Sequence, residues 1–181
     1  MILIFGPQGS GKGTQAALLA SRKGWRWLST GQMFRDSSDP EVHKRVESGE
    51  LIDDTLTAKV LDAALADTDR GAKIILDGYP RNADQARWLL ENLPKHGRSI
   101  ACMLELEVPQ EESIRRLAAR GRADDKPPAI NRRLEIYHSE TEPVIDFYRQ
   151  RNIPYHKVSG LGSVEEIYDR IQEVLKVCVP K

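Results

Sequence analysis

Short apolar runs recur along the chain and alternate with stretches of helical periodicity. The runs at residues 2–5, 74–76 and 100–106 have the length of buried strands and are bounded by glycine, proline or charged residues. Weaker runs at residues 26–28 and 155–158 are two further candidates. The pattern therefore predicts several short strands that are separated by helices.

Between these runs, apolar residues return every three or four positions, as on one face of an amphipathic helix. Strands that alternate with helices are typical of an α/β protein, because parallel strands are connected through helices that cover both faces of the sheet. The sequence therefore predicts a parallel sheet with helices on both sides. The two clearest helical faces consist of Leu56, Val60, Leu61, Ala64 and Leu65, and of Val164, Ile167, Ile171, Val174 and Leu175.

Two polar stretches interrupt this alternation. Residues 37–54 contain Pro40 and Gly49, and residues 120–128 contain a glycine and paired prolines. Long connections within an α/β core frequently carry substrate-binding loops. We therefore expect both stretches to border a binding site.

The first apolar run leads directly into the sequence Gly-Pro-Gln-Gly-Ser-Gly-Lys-Gly-Thr at residues 6–14. Glycines let backbone N–H groups approach phosphate oxygens, and the start of the following helix adds its positive dipole end. Lys12 supplies a cation for the terminal phosphates. A glycine-rich turn without function is the alternative, but the strand before it, the helix after it and the position of the lysine favour a phosphate-binding loop (P-loop).

Two positions bear on magnesium binding. Gly13 stands where a serine or threonine of the general P-loop ligates Mg²⁺, and the hydroxyl comes one residue later, at Thr14. Asp77 ends a predicted strand, where nucleotide sites place a carboxylate that orients Mg²⁺ and its waters. Asp77-Gly78 alone could simply start a turn. Together with the P-loop, it predicts that Asp77 holds Mg²⁺ through water.

A basic window from Arg115 to Arg133 is the next candidate for chemistry. It contains seven lysines and arginines and two aspartates, in a chain with 27 basic and 27 acidic residues. Arg120, Arg122 and Arg133 flank a short loop, and phosphoryl transfer needs cations that close over the transferring group. Arg115 and Arg132 are expected on a solvated helix face.

Charge and composition narrow the possible functions. The 181 residues carry zero formal net charge, which removes the electrostatic argument for binding nucleic acid or anionic membranes. The chain lacks an apolar run long enough for a bilayer span and the pattern of a signal peptide, so we expect a cytoplasmic protein. Cys102 and Cys178 match no metal-ligand spacing and are expected to be reduced, buried thiols.

Taken together, the motifs resemble those of the adenylate kinases, a family of nucleoside monophosphate kinases, over essentially the whole chain. In that family the P-loop itself reads Gly-Lys-Gly-Thr, which accounts for Gly13. Six collinear segments carry the resemblance: the P-loop at residues 6–15, the AMP-binding segments at 28–35 and 49–53, the signature at 76–81 followed by Gln85, the lid at 120–125 followed by Arg133, and the late loop at 160–164.

This resemblance implies the reaction ATP + AMP ⇌ 2 ADP, with Mg²⁺ as cofactor, in a monomeric enzyme that binds no nucleic acid and no membrane. It implies an α/β P-loop three-layer fold with a five-stranded parallel sheet. A single kinase domain would span residues 1–181. A small AMP-binding subdomain would be inserted at residues 30–53, and a short lid at residues 119–128.

The resemblance also implies a role for individual residues. The ATP site is expected at Gly9, Ser10, Gly11, Lys12, Gly13, Thr14, Arg120 and Gly162. The AMP site is expected at Thr30, Arg35, Glu50, Leu51, Ile52, Gly78, Tyr79, Pro80, Arg81, Gln85, Arg122 and Arg133. The expected catalytic residues are Lys12, Arg81, Arg120, Arg122 and Arg133, with Asp77 for Mg²⁺.

Three of these residues have structural alternatives. Arg81 could cap the turn before it, Gln85 could face solvent from its helix, and Thr30 could be a helix N-cap. These alternatives depend on where each side chain points, which the pattern alone does not decide.

The chain also departs from the family pattern. Gln32 replaces the usual acidic residue after Thr-Gly, and Gln8 replaces the usual proline of the P-loop. The stretch between Arg35 and Gly49 is several residues shorter than in longer members, which predicts a small AMP-binding subdomain. The lid is short and contains no cysteine, so we expect no structural zinc.

Two other functions remain open. UMP/CMP kinases share the P-loop and the arginines; they tend to carry alanine at the position of Thr30 and asparagine at that of Gln85, although Pro80-Arg81-Asn82 resembles them. A P-loop module that senses nucleotide without turnover is the second possibility. Arginines on both sides of the expected transfer site disfavour it, because a sensor has no second phosphate chain to neutralise.

Overall fold

The structure, a computed structural model, describes residues 1–179. Its strands are β1 (Ile2–Phe5), β2 (Arg26–Ser29), β3 (Ile74–Asp77), β4 (Cys102–Glu107) and β5 (Tyr155–Ser159). Its α-helices are α1 (Lys12–Lys23), α2 (Thr30–Arg35), α3 (Pro40–Ser48), α4 (Asp54–Ala66), α5 (Ala83–Asn92), α6 (Gln110–Arg120), α7 (Pro127–Ile136), α8 (Glu142–Arg149) and α9 (Val164–Cys178). A 3₁₀-helix (Leu93–His96) follows α5, and a π-helix (Tyr137–Thr141) joins α7 to α8.

The five strands form one parallel sheet in the order β2-β3-β1-β4-β5. This arrangement confirms the predicted α/β fold class. Because all strands run in the same direction, their carboxyl ends lie at one edge of the sheet, where ligands bind in open α/β sheets. The P-loop leaves the central strand, β1, at this edge.

Alternate residues of β1 enter two separate cores. Leu3 and Phe5 pack with apolar residues of α4, α5 and α8, whereas Ile2 and Ile4 pack with those of α1 and α9. All four side chains are buried. A strand covered on both faces reads as a continuous apolar run, which is why this pattern predicted it correctly.

The predicted helical faces contain two exceptions. Leu56 is 38% exposed and Val164 is 45% exposed, although the other members of both faces are buried or half-buried. Each lies in the first turn of its helix, and Val164 is at the wall of the large cavity described below. Helical periodicity therefore predicted the apolar face of each helix correctly, but it did not predict that the first turn of that face is exposed.

The two cysteines differ in burial. Cys102 is buried on β4, and Cys178 is half-buried against the same apolar cluster. The prediction of two buried thiols is therefore correct for Cys102 and wrong for Cys178, because the last turn of α9 covers it only in part. Within residues 1–179, no helix is both long enough and apolar enough for a bilayer span.

Candidate active site

The carboxyl edge of the sheet opens into a cavity of about 710 Å³. Eight cationic side chains and four carboxylates line this cavity, so its wall is strongly positive in a chain without net charge. All the predicted site residues line it except Ser10, whose side chain is fully buried within the P-loop. The structure therefore brings together segments from every part of the sequence that we associated with nucleotide binding.

The P-loop adopts a conformation that favours glycine at several positions, among them Gly9 and Gly11. Gly9 has φ 85°, and a Cβ atom there would lie 2.5 Å from the backbone oxygen of Ser113. Gly11, with φ 98°, is the N-cap of α1, whose first turn has no acidic residue and no side-chain cap. The N–H groups at the start of α1 are therefore available to an anion.

Lys12 lies within the curve of the P-loop. Its Nζ donates to the backbone oxygens of Gly6 at 2.6 Å and Pro7 at 2.8 Å. Burial lowers the pKa of Lys12 to about 8; Asp77 opposes this shift, and Arg81 and Arg120 reinforce it. The protonation of the Lys12 amine therefore depends strongly on negative charge nearby.

Asp77 lies beside the P-loop. The residue is 8% exposed at the end of β3, and Ser29 donates its hydroxyl to Asp77 Oδ2 at 3.4 Å. A Cβ atom on Gly13 would lie 3.5 Å from Oδ2, so the loop backbone passes close to this carboxylate. Mg²⁺ prefers oxygen ligands and keeps several waters, and one carboxylate beside a phosphate-binding loop fits that requirement.

Arg35 and Arg81 also line the cavity. Arg81 donates from Nε to the oxygen of Gly78 at 2.8 Å, and Thr141 donates to the backbone oxygen of Arg81 at 2.8 Å. Burial lowers the pKa of both arginines, and neighbouring arginines lower it further. A guanidinium stays protonated under such conditions. Arg81 thus caps the turn before it and also presents positive charge to the cavity.

The departure at Gln32 is accommodated within α2. Gln32 Oε1 accepts from Arg35 at 3.0 Å, and its Nε2 donates to Asp36 at 2.7 Å. The amide thus holds Arg35 with a neutral acceptor, and the carboxylate lies one turn further along the helix.

The structure decides the alternatives for Thr30 and Gln85. Ser29, not Thr30, is the N-cap of α2, and its Oγ accepts from the N–H of Gln32 at 3.3 Å. Thr30 instead donates to the backbone oxygen of Gly78 at 2.9 Å. Gln85 is 3% exposed and lines the cavity, so it does not face solvent.

Two aspartates of the loop between α6 and α7 hold two of the predicted catalytic arginines. Arg120 makes a bidentate pair with Asp125, from Nε at 2.8 Å and from Nη2 at 2.5 Å. Arg133 pairs with Asp124 at 2.9 Å. Burial raises the pKa of Asp125, but the hydrogen bonds from Arg120 and the adjacent backbone outweigh it and lower the pKa below its ordinary value. Arg122 has an exposed side chain at the wall of the same cavity.

Sequence reasoning did not single out Arg116. Its Nη2 donates to Gly160 at 2.9 Å and its Nη1 to Ser10 at 3.5 Å, so it links the late loop to the P-loop. Glu112 holds its Nε at 2.7 Å. The available signal was its spacing, because Arg116 lies one turn before Arg120 on the same face of α6.

The family model described as Adenylate kinase matches residues 4–153 of the chain. The chain belongs to the adenylate kinase family. Adenylate kinase of Mycolicibacterium vanbaalenii is 39% identical over 180 residues, which cover 96% of this chain and 98% of that protein. Adenylate kinase of Mycolicibacterium paratuberculosis is 37% identical, with 93% and 95% covered, and that of Mycobacterium tuberculosis is 36% identical, with 96% and 98% covered.

The predicted family is therefore confirmed. Adenylate kinases use MgATP in general, and the oxygen donors around Asp77 fit that cofactor. No three histidine, cysteine, aspartate or glutamate side chains within residues 1–179 group as ligands of a metal ion. The expected lack of a structural zinc, like the role of each site residue, stays a prediction.

Proposed function

We propose that this chain catalyses reversible transfer of the terminal phosphoryl group of ATP to AMP, which yields two ADP. The observation that carries the proposal is the single cavity that joins the P-loop and Lys12 to Arg35 and Arg81. Phosphoryl transfer needs two polyanions held in line with their charge neutralised, and little covalent chemistry from the protein. This cavity offers cations for both phosphate chains.

On the ATP side, the N–H groups of the P-loop and of the start of α1 face the phosphates. Lys12 supplies a cation for the terminal phosphates. Arg120, preset by Asp125, and Gly162 complete the site. Asp77 would hold Mg²⁺ through water, and the ion would supply charge neutralisation for the phosphate oxygens. Arg116 maintains the distance between the P-loop and the late loop.

On the AMP side, Arg35 and Arg81 hold the phosphate, because guanidinium forks bind phosphate oxygens with two parallel hydrogen bonds. An oxygen of this phosphate attacks the terminal phosphorus of ATP. The bond between that phosphorus and the bridging oxygen breaks, and ADP leaves. The attacking oxygen is already ionised at neutral pH, so no histidine or other general base is needed.

Arg122 and Arg133 stabilise the charge that develops between the two phosphate chains. Arg133 is well placed for this role because Asp124 and the backbone oxygen of Val46 fix its guanidinium at the cavity wall. We further propose that residues 30–53 form the AMP-binding subdomain and residues 119–128 the lid. We also propose that the protein is a cytoplasmic monomer that binds neither nucleic acid nor membrane.

The nearest alternative, a UMP/CMP kinase, is disfavoured by the surroundings of Asn82. The resemblance at this position has a structural explanation, because Asn82 Oδ1 caps α5 by accepting from the N–H of Gln85 at 2.9 Å, and its Nδ2 donates to Asp54. Asn82 is thus occupied by helix capping. Gln85, rather than an asparagine, lines the cavity.

The test is the formation of ADP from MgATP with AMP, CMP, UMP or GMP as acceptor. We expect turnover that depends on AMP and falls strongly with Lys12→Ala, while Lys23→Ala, on the exposed last turn of α1, serves as the control. Faster turnover with CMP or UMP would assign the chain to the alternative kinase. ATP binding at equilibrium dialysis without ADP formation from any acceptor would support a nucleotide sensor.

A further inference from the structure

Two partners of opposite hydrogen-bonding character determine the orientation of the Gln85 carboxamide. The backbone N–H of Arg81 donates to Gln85 Oε1 at 2.7 Å, and Gln85 Nε2 donates to Asp54 Oδ1 at 2.7 Å. A backbone N–H can only donate, and an ionised carboxylate can only accept. The usual ambiguity between the oxygen and nitrogen of an amide is therefore absent at this side chain.

Asp54 is itself held in place. Asn82 Nδ2 donates to both of its carboxylate oxygens, to Oδ1 at 3.2 Å and to Oδ2 at 3.0 Å. Asp54 is the first residue of α4, and Asn82 is the N-cap of α5. The aspartate thus links two helix termini and cannot turn away from Gln85 without losing three hydrogen bonds.

The anchored amide retains one donor and one acceptor. Oε1 has a second lone pair beyond the one used by Arg81, and Nε2 has a second hydrogen beyond the one given to Asp54. Gln85 lines the cavity with only 3% of its surface exposed. It therefore offers an incoming base an acceptor beside a donor, in an order that the protein sets before binding.

We propose that Asp54 is a positioning residue, which presets Gln85 to select a 6-aminopurine nucleotide over a 6-oxopurine nucleotide. Oε1 accepts from the 6-amino group, and Nε2 donates to the unprotonated ring nitrogen beside it. A 6-oxo group instead places an acceptor against Oε1, and satisfying it would require a reversed amide. This inference rests on the proposed function, because it assigns the base of the AMP site.

Such a site rejects the wrong base because that base leaves buried hydrogen-bonding groups unpaired. A buried donor or acceptor without a partner loses its full solvation, and sites built for hydrogen bonding reject analogues strongly for this reason. The rejection requires that the amide cannot rotate. Asp54 and the Arg81 N–H provide that restraint from opposite sides.

Asp54→Asn tests the restraint with an almost unchanged shape. The oxygen of the substituted side chain can still accept from Asn82, so its amide nitrogen turns toward Gln85 and favours the reversed carboxamide. The Arg81 N–H continues to favour the original orientation, and the two anchors then conflict. We expect kcat/KM for AMP to fall about tenfold, and the ratio of AMP to inosine monophosphate in kcat/KM to fall about 10- to 100-fold.

Asp53→Asn is the matched control. It removes one negative charge at the neighbouring position, and asparagine can still cap α4 as Asp53 does through the N–H of Leu56 at 3.0 Å. We expect its AMP to inosine monophosphate ratio to stay within about twofold of wild type. A ratio for Asp54→Asn that also stays within twofold overturns the inference.

A second readout does not depend on turnover. The side-chain amide protons of Gln85 should exchange slowly with solvent in the wild-type ¹⁵N spectrum and faster in Asp54→Asn, with Asp53→Asn unchanged. Equal exchange in all three proteins contradicts the restraint, even if Asp54→Asn is too unstable for kinetics. Failure of the proposed function is distinct, because wild-type protein would then form no AMP-dependent ADP, whereas failure of this inference leaves that activity intact.

Discussion

Lys12 is the residue whose charge state is most sensitive to its surroundings. Its pKa is lowered to about 8, mainly by burial, while a bound polyphosphate places negative charge next to the ammonium and raises that pKa. Below pH 8 the lysine is already protonated before ATP arrives. Between pH 8 and the raised pKa, it is largely neutral beforehand and protonated afterwards.

We therefore predict that ATP binding takes up protons from solution, up to about one proton per site near pH 9, and almost none at pH 7. Calorimetric titration in buffers of different ionisation enthalpy measures this uptake directly. Lys12→Met should abolish it, while Lys23→Met should preserve it. The same uptake in wild type and Lys12→Met would assign the titrating group elsewhere.

Arg133 and Arg132 are sequence neighbours with opposite environments. Arg133 lines the cavity and pairs with Asp124, whereas Arg132 is half-exposed and its nearest carboxylate oxygen, on Glu50, is at 3.5 Å. Arg133→Met should slow turnover by about 10³, or about 4 kcal/mol of barrier, because a transition-state cation is lost. Arg132→Met should change kcat less than about twofold, since exposed ion pairs contribute little.

Steady-state kinetics with saturating MgATP and AMP distinguish the two variants. Equally small effects of the two substitutions would contradict the role of Arg133 as a transition-state cation. A loss confined to KM for Arg133→Met would indicate uniform binding of substrate rather than stabilisation of the transition state.

At the level of single residues, the sequence predicts best what a local motif encodes. Lys12 and Asp77 were identifiable because a strand, a turn and a helix follow one another along the chain. Arg116 and Asp54 were not, because their partners are far away in sequence: Ser10 is 106 residues from Arg116, and Gln85 is 31 residues from Asp54. Such contacts exist only once the sheet brings separate loops to one edge.

Among the elements, the strands were predicted closely and the short polar helices were not. Residues 37–54 read as a polar interruption, yet α3 occupies half of that stretch. Asp39 caps α3 and Pro40 opens it, and Gly49 ends it in a left-handed conformation with φ 79°. These signals are present in the sequence. The helix was nevertheless not predicted, because its apolar periodicity is weak: Val42 is the single buried residue of this nine-residue helix.

The π-helix Tyr137–Thr141 connects the arginine-bearing helix α7 to the core and rests on a buried carboxylate. Tyr137 donates to Glu105 Oε1 at 2.7 Å, and Tyr155 donates to Oε2 of the same residue. Burial and the contact with Glu105 raise the pKa of both phenols, so they remain donors. The cluster fixes the start of the π-helix against β4 and β5.

Tyr137→Phe should therefore destabilise the protein by about 1–3 kcal/mol, because one oxygen of a buried carboxylate loses its donor. Urea denaturation measures the free energy of unfolding. Tyr168→Phe is the control: Tyr168 is similarly buried, and its hydroxyl has no hydrogen-bond partner in the described part of the chain. A change for Tyr137→Phe no larger than for the control would show that the Glu105 contact contributes nothing.

On the scale of the whole molecule, two segments that line the cavity, α3 with Gly49 and helix α7, touch each other. Arg133 of α7 donates to the backbone oxygen of Val46 in α3. A Cβ atom on Gly49 would lie 2.8 Å from the backbone oxygen of Ala129, so the two backbones pass in close contact. The segment from α3 to Gly49 and helix α7 therefore form one continuous wall of the cavity. In the proposed function, two nucleotides occupy the cavity together, beside that wall.

A molecule that joins two adenosines through an oligophosphate should consequently bind across the whole cavity. At a concentration about 100 times its Kd, it should stabilise the protein by about 2.7 kcal/mol and raise Tm by about 5–10 °C for a domain of this size. Thermal denaturation followed by circular dichroism measures this shift. ATP alone and AMP alone, each at the same concentration, should give smaller shifts, because each engages the cations of only one phosphate chain. If the joined compound stabilises the protein no more than ATP does, the cavity binds one nucleotide and not two, and the proposed transfer between them is excluded.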